Sequence, residues 1–207
     1  YYGEQFEAQL SLDFYRTVFQ NQIFPDYNSD PTLAIISNFT GTSISNGFQA
    51  ELGLQFFNRL GLKLAYNFLD VYRNIEDKKE LLPFNAKHRA SANLSYQPLS
   101  KSWHWDTNIH WTGQQSLANS SGNPVEFQQP NFSDDYWMVN TQFTKVWPGF
   151  ELYLGCENVF DFRQLFPIRS WQNPFGPYFD TSNAWGPTRG RELHIGLRYI
   201  LEGKEGL

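Results

Sequence analysis

His104, Asp106 and His110 are the residues best suited to metal or proton chemistry, because they fall two and four apart in one alternating stretch. On a strand that spacing puts all three on one face, with the nearest pair about 6.6–7 Å apart. Two of them share a metal only if long side chains lean together or a neighbouring strand adds a ligand. The expected reading is therefore a hydrated, hydrogen-bonded wall with no metal. Glu151 and Glu157 lie six residues apart on the polar face of another run, too far for paired acid–base work, which needs carboxylates within about 10 Å. Cys156 is the single cysteine, so no internal disulfide or cysteine-based metal site can form. It is expected on an apolar face, where burial leaves a thiol inert. A Gly-x-Ser-x-Gly elbow, a phosphate-cradling glycine loop and a His-Glu-x-x-His pair are all missing. No catalytic residue and no cofactor is implied.

The stretch 160–189 holds the remaining candidates. It carries Arg163, Arg169, Trp171, Phe175, Tyr178, Asp180, Trp185 and Arg189. Aromatic faces with scattered guanidinium groups suit the capture of an anionic or aromatic ligand. Arg169, Trp171, Tyr178, Asp180 and Trp185 are the expected binding residues. The competing reading is that the same aromatics and prolines pack a long loop onto whatever carries it. A second polar stretch, 115–134, has the turn-rich Asn119-Ser120-Ser121-Gly122-Asn123-Pro124 and reads as a mobile loop.

The elements that position these loops follow from composition and period. Aromatics reach 18% and charged residues also only 18%, below the roughly 25% charged residues of ordinary globular domains. Mean hydropathy is nonetheless negative, and no apolar run of about 18 residues exists to form a membrane helix. Strands greasy on one face and polar on the other produce this mixture. The formal charge of −5 and the lack of a basic cluster argue against nucleic acid as a partner. There is no secretory signal, and the chain begins at Tyr1 close to a strand pattern, which reads as a piece of something longer.

Strict alternation recurs eight times. Leu10, Leu12 and Phe14 alternate with Gln9, Ser11 and Asp13. Phe48 to Phe56, Leu62 to Phe68, Ala90 to Tyr96 and Trp103 to Trp111 follow the same rule. Trp137 to Thr144, Glu151 to Glu157 and Leu193 to Leu201 complete the set. Leu33–Phe39 is joined to the second strand through the kink-prone Gly41 and Gly47. Connections alternate between short, near Asn58–Leu60, Pro98–Lys101 and Trp147–Gly149, and long, at 23–32, 71–85, 115–134 and 160–189. That asymmetry is typical of outer-membrane β-barrels. Trp103 and Trp111 bracket one face across roughly 26 Å of strand, close to the height of an apolar band between two aromatic girdles. Trp147 and Tyr96 sit near short turns, as a periplasmic girdle requires.

Several segments resemble the C-terminal barrel region of TonB-dependent outer-membrane receptors, especially those of Bacteroidetes-type bacteria. They are Leu12-Asp13-Phe14-Tyr15-Arg16-Thr17 with Asn21-Gln22-Ile23, Asn38 with Gly47-Phe48-Gln49-Ala50-Glu51, and Pro83 with Lys87-His88-Arg89 and Ala92 to Tyr96. Gly155-Cys156-Glu157-Asn158-Val159-Phe160-Asp161, the Pro174 to Asp180 stretch, Trp185-Gly186-Pro187, Gly190-Arg191 and Gly196-Leu197-Arg198-Tyr199 complete the set. The resemblance implies an antiparallel transmembrane β-barrel. The whole of 1–207 would be about eight C-terminal strands of a barrel with 22 strands and a plugged lumen. It also implies residence in the bacterial outer membrane, uptake of a scarce nutrient such as a siderophore–metal complex or cofactor, and no enzymatic role. Implied partners are membrane lipid, the N-terminal plug, the other barrel strands and, through the plug, the TonB energy-transducing complex. The plug and its coupling segment have no counterpart in these residues, and the chain runs past Leu201 instead of ending on an aromatic. A complete eight-stranded barrel with a structural or adhesive role is the alternative. A barrel enzyme would need a nucleophile near His104 or His110, and none is signalled.

Overall fold

The computed structural model describes residues 1, 3, 5–26, 35–75 and 78–199. Parts of the expected 23–32 connection, together with Leu33, Leu201 and the tail beyond it, lie outside the described residues.

Among the described residues eleven strands form, and eight of them build one antiparallel wall. The wall strands are β1 (Phe6–Gln20), β4 (Thr42–Phe56), β5 (Leu60–Ile75), β7 (His88–Tyr96), β8 (Trp103–Thr112), β9 (Tyr136–Trp147), β10 (Phe150–Glu157) and β11 (Glu192–Tyr199). Each pairs with the next in chain order. β1 and β11 are the two ends of this order and do not pair with each other, so the wall is an open sheet.

Registry makes the alternation of each strand continuous across the wall. Leu10 opposes Leu52, Leu52 opposes Leu64, Leu64 opposes Ala92, Ala92 opposes Ile109 and Ile109 opposes Val139. Further along, Phe143 opposes Leu154 and Leu154 opposes Ile195. These side chains share one face, and Leu10, Leu12, Phe14, Leu64, Leu154, Ile195 and Leu197 are all exposed on it. So large a continuous apolar surface is unstable against water and matches hydrocarbon. A one-residue slip would send every leucine to the wrong side, which pins the register. The opposite face carries Gln9, Lys63, Asn93, Asn108 and Asn140 in one row. That is the polar lumen face.

Aromatic rings close the apolar band at both ends. At one end Phe14 packs on Phe48 at 4.7 Å and Trp111 lies 6.3 Å from Trp137. At the other, Tyr96 meets Trp103 at 5.2 Å, Trp103 stacks on Phe143 at 5.5 Å and Trp147 meets Phe150 at 5.3 Å. The second end holds the short turns. In one of them Pro148 fixes its own φ and Gly149 takes φ 72°, the positive value the second central position of a type II turn requires.

Lumen-side glycines tighten the wall. A side-chain carbon on Gly47 would overlap the ring of Tyr15, one on Gly155 the ring of His194, and one on Gly196 the ring of Tyr153. In each case the ring comes from the residue directly opposite in the ladder. The bare glycine is the seat on which the cross-strand ring lies.

Two expectations about connections need correction. Ile35–Asn38 is not part of the second wall strand. It forms β3, paired with β2 (Ile23–Asp26) in a separate two-stranded ribbon. The break falls at Phe39–Gly41, after which β4 starts at Thr42. Residues 71–85 are not simply a loop either. β5 runs on to Ile75, and β6 (Lys78–Leu81) folds back onto it. The hairpin is held by a bidentate Arg73–Glu80 pair at 2.9 and 3.0 Å.

Candidate ligand-binding cleft

The lumen face places the first group of candidates. His104 Nε2 lies 3.7 Å from Asp106 Oδ2, while His110 sits farther along, between Ser91 and Met138. Among the described residues no three His, Cys, Asp or Glu side chains gather in a way that could hold a metal. Glu151 accepts from Arg198 Nη1 at 2.9 Å, and Glu157 faces Glu192 across the ladder. Cys156 lies on the apolar face between Thr141 and Leu193.

The long loop from 158 to 191 sits at the end of the wall away from the short turns. Asn158 ties its two ends together. This residue is 2% exposed and left-handed, with φ 48°. Its Nδ2 donates to Phe162 O at 2.8 Å and Arg189 O at 3.2 Å, and its Oδ1 accepts from Phe162 N at 3.0 Å. Its own N–H donates to Asn140 Oδ1 at 2.9 Å, which fixes the knot to β9. Beside it, Asp161 Oδ1 accepts from Arg191 N at 2.7 Å and from Arg163 Nη2 at 3.0 Å. The Arg191 amide first, and then the Arg163 guanidinium, hold the Asp161 carboxyl below the ordinary carboxylate range.

Buried amides carry the order inward. Gln164 Oε1 accepts from Trp185 N at 2.8 Å and Gly186 N at 3.0 Å, while its Nε2 donates to Asn183 O at 2.6 Å. Gln115 Nε2 reaches across from the 115–134 loop to Trp185 O at 2.9 Å. The 115–134 loop is itself internally bonded, with Gln129 Nε2 on Ala118 O at 2.6 Å and Gln128 Nε2 on Asn123 O at 2.8 Å.

Between the two loops lies a cleft of about 580 Å³. Of the five residues expected to bind ligand, Arg169, Trp171 and Trp185 line it, whereas Tyr178 and Asp180 lie outside its lining. Arg169 donates to Phe127 O at 2.8 Å and to Gln129 Oε1, clipping one loop to the other. Burial pushes its guanidinium pKa down and the nearby Asp180 charge opposes that. Tyr178 stacks on Phe127 with centroids 5.0 Å apart. Asp180 accepts from Ser182 N and Oγ, both at 2.7 Å, and from Asn183 Nδ2. The Trp185 ring packs 6.1 Å from Tyr136 and 6.3 Å from Phe162. Trp171 differs from these, being 60% exposed at the cleft. Phe166, Glu126, Asp134 and Asn183 also line the cleft and were not singled out from the sequence. Phe166 carried a weak signal in its aromatic, proline-flanked setting, and the three polar residues carried none.

The family model described as TonB dependent receptor-like, beta-barrel matches residues 1–159. The chain belongs to that family. Solved receptor barrels agree in fold. The pyoverdine outer membrane receptor FpvA from Pseudomonas aeruginosa superimposes with a TM-score of 0.66 at 19% identity, covering 94% of this chain and 27% of that one. The ferric-catecholate import receptor Fiu from E. coli K12 gives 0.63 at 14%, covering 93% and 25%. The FrpB iron transporter from Neisseria meningitidis gives 0.60 at 14%, covering 96% and 29%. This TonB-dependent receptor barrel thus spans about a quarter of the receptors it matches. No curated protein matches it at the sequence level. The barrels of this family reside in the bacterial outer membrane and serve transport, and the exposed apolar band is the surface such residence demands.

Proposed function

We propose that the chain is the C-terminal third of the wall of an outer-membrane receptor. This receptor takes up a scarce nutrient, such as a siderophore–metal complex or cofactor, by TonB-driven active transport. The observation that carries this reading is the open wall. Its eight strands end on β1 and β11, which do not meet, and each unpaired backbone group in hydrocarbon costs several kcal/mol. Such edges call for further strands on both sides and for a lumen wide enough to hold a plug. In that assembly the described residues supply wall, lumen lining and outer loops. Binding and gating are the work, not bond chemistry. Trp171, Arg169 and Trp185 are placed at the cleft, with Tyr178 and Asp180 holding its frame. A closed eight-stranded barrel would need β1 against β11, and the strand order disfavours it.

The test uses the full-length receptor in an iron-starved host lacking its own copy. Uptake of a labelled ferric chelate is expected to fall at least tenfold when the host's TonB is deleted, while binding to the cells persists. Uptake that continues unchanged without TonB would overturn the proposal.

A further inference from the structure

We infer that the cleft between the 115–134 and 160–189 loops selects an uncharged or cationic ligand that has an apolar face and donates hydrogen bonds. It discriminates against anionic chelates of the same size. This rests on the uptake reading above and names the class of ligand that its site would take.

The argument starts from which groups are already spent. Two guanidinium groups line the cleft, Arg163 and Arg169. Arg169 is committed to Phe127 O and Gln129 Oε1, with Asp180 bridged to it through the backbone at 2.9 Å. Arg163 is committed to Asp161 Oδ1 through Nε at 3.3 Å and Nη2 at 3.0 Å. Each keeps N–H donors of its own, but its charge is already shared with these partners, so an arriving anion competes with them. No lining cation is left over.

The unspent groups are acceptors. Glu126 and Asp134 line the cleft, both are exposed, and neither carboxylate has a partner among the described residues. Asn183 is 2% exposed, lines the cleft, and its Oδ1 is buried with no hydrogen-bond donor. A buried carbonyl-type oxygen with no donor adds its partial negative charge to that wall of the cleft. Counting Asp161 and Asp180 beside them, together with Arg191, whose charge also acts on Asp161, four carboxylates stand around three guanidiniums. The local field is therefore negative, and a polyanion entering the cleft meets repulsion in a partly desolvated space.

The apolar part of the recognition is also free. Trp171 is 60%, Phe166 77% and Leu165 78% exposed, and all three line the cleft. Phe166 holds φ 52°, a costly conformation for a bulky residue and one that tends to persist at functional positions. Exposed aromatic surface of this kind stacks on planar or apolar ligand faces and favours a cation over an anion.

The experiment titrates the purified full-length receptor with two iron(III) chelates and follows tryptophan fluorescence quenching. One is a linear tris-hydroxamate complex bearing a free ammonium group. The other is a tris-catecholate complex of net charge about −3. The hydroxamate is expected to bind at least tenfold tighter. Trp171→Ala should weaken it at least tenfold, with Trp171→Phe restoring most of the loss. The pair Glu126→Gln and Asp134→Asn should shrink the preference at least threefold. Because the preference is a ratio within one preparation, partial misfolding of a variant cancels. Tighter binding of the catecholate, or a ratio unmoved by the paired variant, would overturn the inference and leave the uptake reading standing. Binding of neither chelate would also overturn the inference, while the uptake reading falls only on the TonB-deletion result.

Discussion

Leu64→Arg is expected to destabilise the folded receptor in vesicles by about 2–4 kcal/mol, whereas Ala65→Arg, one residue along, stays within about 1 kcal/mol. Leu64 sits in the middle of the row Leu10, Leu52, Leu64, Ala92 and is 38% exposed on the apolar face. An arginine there has only lipid to meet and must snorkel or thin the bilayer. Ala65 points the other way and stands directly opposite Glu51 and Ser91, so its arginine gains water and a nearby carboxylate. Denaturant midpoints of the two variants in lipid vesicles provide the check. Equal destabilisation would mean that the faces are assigned wrongly.

The second large effect concerns the glycine seats. Gly196→Val is expected to cost about 1–3 kcal/mol, the usual penalty for forcing bulk into a filled position. The added methyl groups would occupy the space of the Tyr153 ring, which lies over Gly196 from the opposing residue of β10. Tyr153→Ser empties that space. In its background Gly196→Val should cost at least 1 kcal/mol less, a coupling that a double-mutant cycle measures directly. Additive losses would show that ring and glycine do not share the space. Gly47 under Tyr15 repeats the arrangement on β4 and β1.

Much of this architecture was legible because each wall strand separates two unlike solvents. Leu10, Leu12 and Phe14 meet lipid while Gln9, Ser11 and Asp13 meet the lumen, so period two appears in the sequence without any partner being known. The same logic explains what was misread. Ile35–Asn38 has all four residues exposed, and paired only with β2 it has no lipid-facing side to impose the wall's rule. Residues 71–85 hide β6 for a related reason. Lys78, Lys79 and Glu80 form a strand outside the apolar band, held by Arg73–Glu80 and by Lys79–Asp70 at 2.6 Å.

The loops were legible only by residue type. Arg169 and Trp171 stood out as binding chemistry, but type alone could not separate an arginine that clips two loops from one that waits for ligand. Gln164 gave no signal, because its side-chain bonds run to distant backbone groups that follow no period. Asn158 was visible within its motif, and its role became apparent only when its left-handed backbone and its bonds to both loop ends were seen together.

The most direct measurement is the distance between the two edges of the wall in the intact receptor. Spin labels at Leu10→Cys on β1 and Ile195→Cys on β11, with Cys156→Ser and any other free thiol of the receptor replaced, report it by pulsed electron resonance in vesicles. Eight strands in sequence separate the edges by seven steps of about 4.8 Å, an arc of roughly 34 Å. An open wall within a larger barrel predicts a distance above about 25 Å. Labels on adjacent strands about 5 Å apart would mean that the eight strands close on themselves, and the receptor reading would be wrong.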